Sequence, residues 1–273
     1  MIPSFGVLIV GDEILSGKRA DKHLAKTIEL LAARGLGLAC AEYVGDDPQR
    51  ITAALVRAFA SGDVVFSFGG IGATPDDHTR QCAARALGRE LALHPDAKAL
   101  ILERMQDVAL EQGLPFEPDR PDNVHRLQMG MFPAGARTIA NPYNKIPGFS
   151  CTGTGGGTVH FVPGFPVMAW PMVEAVLDQH YAAHFHATPQ AEHSVVLFGA
   201  MESALVPLMA WIENSHPGVR VFSLPSVDHP QHGPHIELGV KGPAMLVPAA
   251  WQDLKSRLHE FGARCGPEVV RRL

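Results

Sequence analysis

Apolar and polar positions follow a repeating order along the first ninety residues. Phe5–Val10 is a continuous apolar run, the pattern of a strand buried on both faces. Over residues 23–34, Leu24, Ile28 and Leu31 recur at helical spacing, and Gly35 suits the end of that helix. Residues 36–44 predict a second strand. Asp47-Pro48 reads as an N-cap followed by a first-turn proline, opening a helix that runs through Phe59. Residues 63–68 predict a third strand. A glycine-rich segment follows, then a helix from about His78 to Leu87, closed by Gly88. Strand and helix in alternation predict a three-layer α/β/α domain with a mostly parallel sheet.

Further along, the pattern changes. Residues 94–112 predict another helix. Pro115, Pro118, Pro121 and Pro133 mark residues 113–136 as mostly loop. Residues 137–161 predict short strands and turns, with Gly153-Thr154-Gly155-Gly156-Gly157 as a flexible hairpin tip. A helix over 166–181 closes the first domain. The polar stretch 184–192, with Pro189, is the candidate linker. Beyond it come strands at 194–199, 219–224 and 235–240 and helices at 202–214 and 244–262, a small α+β domain. The expected division is therefore 1–183 and 190–273.

Composition narrows the function classes. Hydrophobic residues make up 46% and charged residues 19%, ordinary for a soluble globular chain. The formal net charge is −5 and no basic cluster is present, which argues against nucleic acid as a partner. The first apolar run is too short to span a bilayer and has no basic leader before it, so no membrane association is expected. Cys40, Cys82, Cys151 and Cys265 form no CxxC pair, so free thiols in a cytoplasmic, reducing compartment are the simplest expectation. A homo-oligomer is the default assembly.

The strongest chemical signal is Gly69-Gly70-Ile71-Gly72-Ala73-Thr74-Pro75-Asp76-Asp77. It follows an apolar strand and precedes a helix, so glycine backbone and helix N–H groups face one space that suits a phosphate. The plainer alternative is a strand-to-helix turn with Asp76 or Asp77 as N-cap. One acid suffices for a cap, which leaves the second for a hydrated divalent cation. A second signal is Gly11-Asp12-Glu13-Ile14-Leu15-Ser16-Gly17, directly after the first strand. Its two carboxylates could share that cation and Ser16 could touch phosphate, or Asp12 or Ser16 could simply cap a helical turn. Pro163-Gly164-Phe165-Pro166 makes a rigid turn, more simply structural than functional. His180, His184 and His186, and Asp228, His229, His232 and His235, are better read as surface groups than as metal ligands. No G-x-S-x-G and no Walker G-x-x-x-x-G-K occurs.

Taken together, these segments resemble the molybdenum-cofactor-biosynthesis (molybdopterin-binding, MoCF) domain. The resemblance is to its branch in the competence/damage-inducible protein family and in the N-terminal part of eukaryotic FAD synthases. The family pattern Gly-Asp-Glu-Ile-Leu-x-Gly is matched at 11–17 and its spaced Asp at Asp21. Its Gly-Gly-Leu-Gly-Pro-Thr-x-Asp-Asp is matched at 69–77, with Ile71 for Leu and Ala73 for Pro. Later landmarks stand at Pro133 to Ala136, Asn141, Pro147 to Phe149 and Pro163 to Pro166. His23 stands where the family usually has Asn, Asn144 where Gly is common, and Met168 where Glu usually follows Pro-Gly-x-Pro. No segment resembles the family's C-terminal deamidase domain, so nicotinamide-nucleotide deamidation is not expected.

The resemblance implies a small-molecule nucleotide or pterin ligand. Its site would draw on Gly11, Asp12, Glu13, Ser16, Asp21, Gly69, Gly70, Gly72, Thr74, Asn141, Pro163, Gly164 and Pro166. In the cofactor-synthesis branch such domains bind molybdopterin and adenylylate it or insert metal. In the competence-type branch the domain is associated with divalent-metal-dependent cleavage of a pyrophosphate, as in ADP-ribose or FAD. Length and the second domain favour the latter, with Mg²⁺, Mn²⁺ or Co²⁺ as the metal. Asp76 and Asp77 would then be the catalytic acids and, with Asp12, the metal ligands. The competing expectation is a non-catalytic molybdopterin- or nucleotide-binding protein.

Overall fold

The computed structural model describes residues 2–230 and 233–272. The chain divides into two units, 1–185 and 186–273. In the first unit the strands are β1 (Phe5–Val10), β2 (Leu38–Val44), β3 (Val64–Phe68), β4 (Leu91–Leu93), β5 (Met131–Pro133), β6 (Arg137–Ile139), β7 (Gly148–Thr152) and β8 (Thr158–Val162). The helices are α1 (Asp12–Leu15), α2 (His23–Ala32), α3 (Pro48–Ser61), α4 (Thr79–Leu87), α5 (Pro95–Glu111), α6 (Pro121–Arg126) and α7 (Pro166–His180).

The main sheet has the order β2-β1-β3-β8-β7-β6. Its first four strands are parallel, and β7 pairs antiparallel with both β8 and β6. Alternate residues of each strand face opposite sides. Leu8, Val10 and Val65 pack with Ile51, Leu55 and Ala83 of α3 and α4. Phe5, Ile9 and Phe66 pack with Leu31 of α2 and with Met172 and Val176 of α7. Both faces are thus covered, which explains why β1 and β3 read as unbroken apolar runs. Each fully buried large side chain contributes roughly 1.5–3 kcal/mol to this arrangement.

Two expectations change here. Residues 113–136 are not mostly loop. They hold α6, a 3₁₀ turn (Leu127–Gly130) and β5, which pairs antiparallel with β4. Pro121 occupies the first turn of α6, where a missing N–H costs nothing, so it starts a helix rather than marking a loop. The glycine tip at 153–157 is also tightly placed. A Cβ on Gly157 would sit 2.0 Å from the Ala58 carbonyl oxygen, so the tip lies directly on the end of α3.

The second unit is a four-stranded sheet with two helices. Its elements are β9 (Gln190–Phe198), α8 (Glu202–Ser215), β10 (Arg220–Ser226), β11 (His235–Pro243), α9 (Val247–Glu260) and β12 (Arg264–Arg272). The strand order is β10-β11-β9-β12, antiparallel throughout. β9 takes up Gln190, Ala191 and Glu192, the last residues of the candidate linker. β12 escapes the sequence reading because Arg264, Glu268 and Arg271 break its apolar pattern and its register shifts between Cys265 and Glu268.

Candidate functional site

Parallel strands bring their carboxyl ends to one edge of a sheet, and ligands bind in the crevice there. Four loops meet at that edge in the first unit: Gly11 onward after β1, Gly45-Asp46 after β2, residues 69–77 after β3 and Pro163–Pro166 after β8. Between them lies a cleft of about 400 Å³. Its floor and walls include Gly69, Gly70, Gly72, Thr74 and Asp77. Gly11, Glu13, Asp76, Asn141, Pro163 and Gly164 also line it.

The glycine positions of the loop leave no room for a side chain. Gly70 has φ +67°, and a Cβ there would lie 2.2 Å from Thr79 Oγ1. The Gly70 carbonyl accepts the Thr79 amide, tying the loop to the first residue of α4. Neither Asp76 nor Asp77 caps α4, whose N-cap residue His78 makes no side-chain capping bond. Asp77 instead closes its own loop: Oδ2 accepts the Thr74 amide at 2.9 Å and the Thr74 hydroxyl at 2.6 Å. The Asp76 carboxyl is also held below the usual carboxylate range, by the nearness of that hydroxyl first and then by its own backbone amide. One proton cannot serve both acids together. The short contact, shared with the amide on the same oxygen, places it on Asp77.

The first-strand loop and the second-strand loop are cross-tied. The Asp12 amide donates to Asp46 Oδ2 at 2.9 Å, and the Asp46 amide donates to Asp12 Oδ1 at 3.2 Å. Burial raises the Asp46 carboxyl, and the charges of Asp12, Glu13 and Asp76 raise it further. Four carboxylates therefore share one neighbourhood, and Asp12, Glu13, Asp46 and Asp76 together line a shallow hollow with Ser16 beside the main cleft. Asp46 is absent from the sequence-derived set. Its signal was the pair Asp46-Asp47, of which only Asp47 is used as a cap, accepting the Arg50 amide.

Other expected site residues have local duties. Asp21 Oδ1 accepts the His23 amide, and its Oδ2 accepts the Leu24 amide and the Tyr43 hydroxyl, so it starts α2. Asn141 shapes the loop before β7, donating to Asn144 Oδ1 and the Ile146 carbonyl and accepting the Tyr143 amide. Pro166 lines an adjoining apolar pocket of about 300 Å³ with Phe68 and His23. His23 stacks on Phe68 with ring centroids 4.4 Å apart, and its Nε2 lies 3.1 Å from the Gly164 carbonyl. Burial lowers its pKa, with the Gly164 contact acting the other way. Met168 lines the main cleft and its sulfur accepts from Asn144 at 3.7 Å.

The segment expected to be loop also contributes. Nε2 of His125, on α6, lies 2.8 Å from the Ala73 carbonyl, and Met129 lines the cleft. Arg80, on α4, donates to the Gly72 carbonyl at 2.5 Å. Neither His125 nor Arg80 stood out in the sequence.

Among the described residues, no three His, Cys, Asp or Glu side chains form a group that could by itself hold a metal ion. His232 of the second histidine group lies outside the described residues. No disulfide links Cys40, Cys82, Cys151 and Cys265. Among the described residues, no helix is long and apolar enough to cross a membrane.

Comparison with known proteins identifies the family. A Thermoplasma volcanium protein is 28% identical over 261 residues, covering 94% of each chain. A CinA-like protein of Desulfosudis oleivorans is 30% identical over 219 residues, which are 78% of this chain and 50% of that one. The chain thus spans about half the length of that CinA-like relative. The crystal structure of the protein CinA from Thermoplasma acidophilum superposes with a TM-score of 0.54 at 30% identity, covering 64% of this chain and 97% of that one. Residues 6–183, which carry all four loops of the cleft, match the molybdenum-cofactor-biosynthesis family, described as "Probable molybdopterin binding domain", and the chain belongs to that family.

Proposed function

We propose that the cleft binds a phosphate-bearing nucleotide or pterin and hydrolyses a pyrophosphate bond in an ADP-ribose- or FAD-like substrate. The observation that carries this reading is the convergence of Asp12, Glu13, Asp46 and Asp76 beside the glycine loop. Hard carboxylate oxygens suit Mg²⁺ or Mn²⁺. Such ions take one or two carboxylates and fill the remaining positions with water and substrate phosphate, so a closed protein cage is not required. The donor set therefore fits a divalent cation completed by its ligand. Asp76 and one of Asp12, Glu13 or Asp46 would hold it. When bound, the ion supplies charge neutralisation at the phosphates.

The chain's own groups do the rest. Backbone N–H groups of the glycine loop and the Thr74 donors hold phosphate oxygens. Arg19, which lines the cleft, adds positive charge. Attack of water at one phosphorus breaks the bridging P–O bond, gives two phosphate monoesters and releases protons. From ADP-ribose the products are AMP and ribose 5-phosphate. The carboxylates place the attacking water and exclude other orientations. A cleft of about 400 Å³ is also the size of pocket that takes a pterin.

Met168 favours a second reading. A thioether in the cleft, where the resemblance leads one to expect a carboxylate, suits a protein that binds molybdopterin or a nucleotide without cleaving it. Chromatographic assay of AMP release from ADP-ribose and FAD, with Mg²⁺, Mn²⁺ and Co²⁺ tested separately, decides between them. The hydrolase reading expects AMP, lost in Asp76→Ala. No AMP with any metal, together with binding of a pterin or nucleotide, establishes the second reading.

A further inference from the structure

Arg80 lies in the first turn of α4 beneath the glycine loop, with 3% of its surface exposed. Its Nη2 donates to the Gly72 carbonyl, while its Nε and Nη1 are buried without a hydrogen-bond partner. A guanidinium stays charged, and unpaired donors on a buried charge are strongly unfavourable. The Asp77 carboxylate lies close enough to act on that charge, opposing the effect of burial. Yet its hydrogen bonds go elsewhere, to the amide and hydroxyl of Thr74. Those are the two donors that a phosphate oxygen would take in the proposed site. The carboxylate also lies close over the loop, in space that only glycine leaves open, since a Cβ on Gly72 would sit 2.5 Å from Asp77 Oδ2.

We infer that Asp77 stands in for a ligand phosphate in the free loop, and that Arg80 is the positioning residue that receives the Asp77 carboxylate when a phosphate displaces it. The inference rests on the phosphate-binding reading of residues 69–77. The exchange leaves no donor unpaired. The Thr74 donors pass from carboxylate to phosphate, and the carboxylate passes to the unpaired N–H groups of Arg80. It also neutralises Asp77 as a second anion arrives, which removes a like-charge repulsion from the bound state.

Calorimetric titration of inorganic pyrophosphate with Mg²⁺ into the full chain tests this. Arg80→Met should weaken binding about tenfold or more. It should not lower the melting temperature of the free protein, because removing two unpaired buried donors offsets the one lost hydrogen bond to the Gly72 carbonyl. Asp77→Ala should tighten binding by removing the competing anion. Within Asp77→Ala, Arg80→Met should have little further effect, the signature of coupled residues. If Arg80→Met does not fold, Arg80→Lys takes its place and should bind more weakly than the parent, but not once Asp77 is removed. Unchanged affinity in the Arg80 variants, or an equal loss with and without Asp77, overturns the exchange while leaving phosphate binding intact. No pyrophosphate binding by the parent or by Asp77→Ala would instead show that the phosphate reading has failed, and the exchange with it.

Discussion

The two units of this chain solve the same packing problem with opposite sheets. In the first, β1 and β3 are buried along their whole length by helices on both faces. In the second, the core side of β9 and β11 packs on α8 and α9 through Val195, Leu197, Leu238 and Val240. Their other side carries Glu192, Ser194 and Glu237, joined with Arg271 of β12 by hydrogen bonds and ion pairs. The difference teaches where chemistry can collect. Parallel strands deliver every carboxyl end to one edge, so four loops and their acids meet. Antiparallel strands send successive ends to opposite edges, and the second unit spends its charges on pairing with one another.

The comparison can be broken first at the core. Phe66→Ala should cost about 3–5 kcal/mol in denaturant unfolding of the first unit, because its ring is fully buried between β3 and the helices. Leu224→Ala in the second unit, where the side chain is exposed, should stay within about 0.5 kcal/mol. Equal effects would remove the distinction between a strand buried along its whole length and one with an exposed side chain. At the strand ends, Asp76→Ala should lower turnover of ADP-ribose about a hundredfold or more with the melting temperature preserved. Undiminished turnover would take Asp76 out of the site.

A smaller effect is expected from pH. His160 of β8 is buried between Ser150 Oγ and the Tyr181 hydroxyl, and burial lowers its pKa from 6.5 to about 3. A histidine with a depressed folded pKa stabilises the fold above 6.5. As pH falls from 6.5 toward about 3, the unfolded chain takes up a proton that the folded one refuses, so stability declines by at most about 1.4 kcal/mol per unit. His160→Gln should flatten that part of the stability–pH curve; an unchanged slope would assign it to other groups. The smallest effect belongs to the second unit's charges. Arg271→Ala should cost no more than about 1 kcal/mol, since both of its ion pairs are part-exposed, and should leave turnover unchanged. A large loss of turnover there would give the second unit a part in the reaction.

Much of this was legible along the chain because it is local. An apolar run bounded by glycine marks a doubly covered strand, and Asp47-Pro48 marks a helix start, wherever they occur. The glycine loop is legible for the same reason, since its φ angles and its contact with Thr79 lie within ten residues. Asp46 and His125 were not legible. Each acts on a partner far away, 34 residues to Asp12 and 52 to Ala73, and nothing in the local pattern marks such a meeting. Asp77 shows the reverse case. It is conspicuous in the sequence, but the side chain turns into its own loop and leaves the acidic neighbourhood to Asp46.

Periodicity, turn chemistry and two loop motifs therefore determined the three-layer fold and the edge of the sheet on which ligands bind, because those features depend on neighbours three or four residues apart. Which acids share a cleft, which one closes a turn, and the burial of Arg80 with two unpaired donors depended on loops brought together by the parallel register. That register follows from side chains packing across the whole sheet, and no single stretch of the chain contains it.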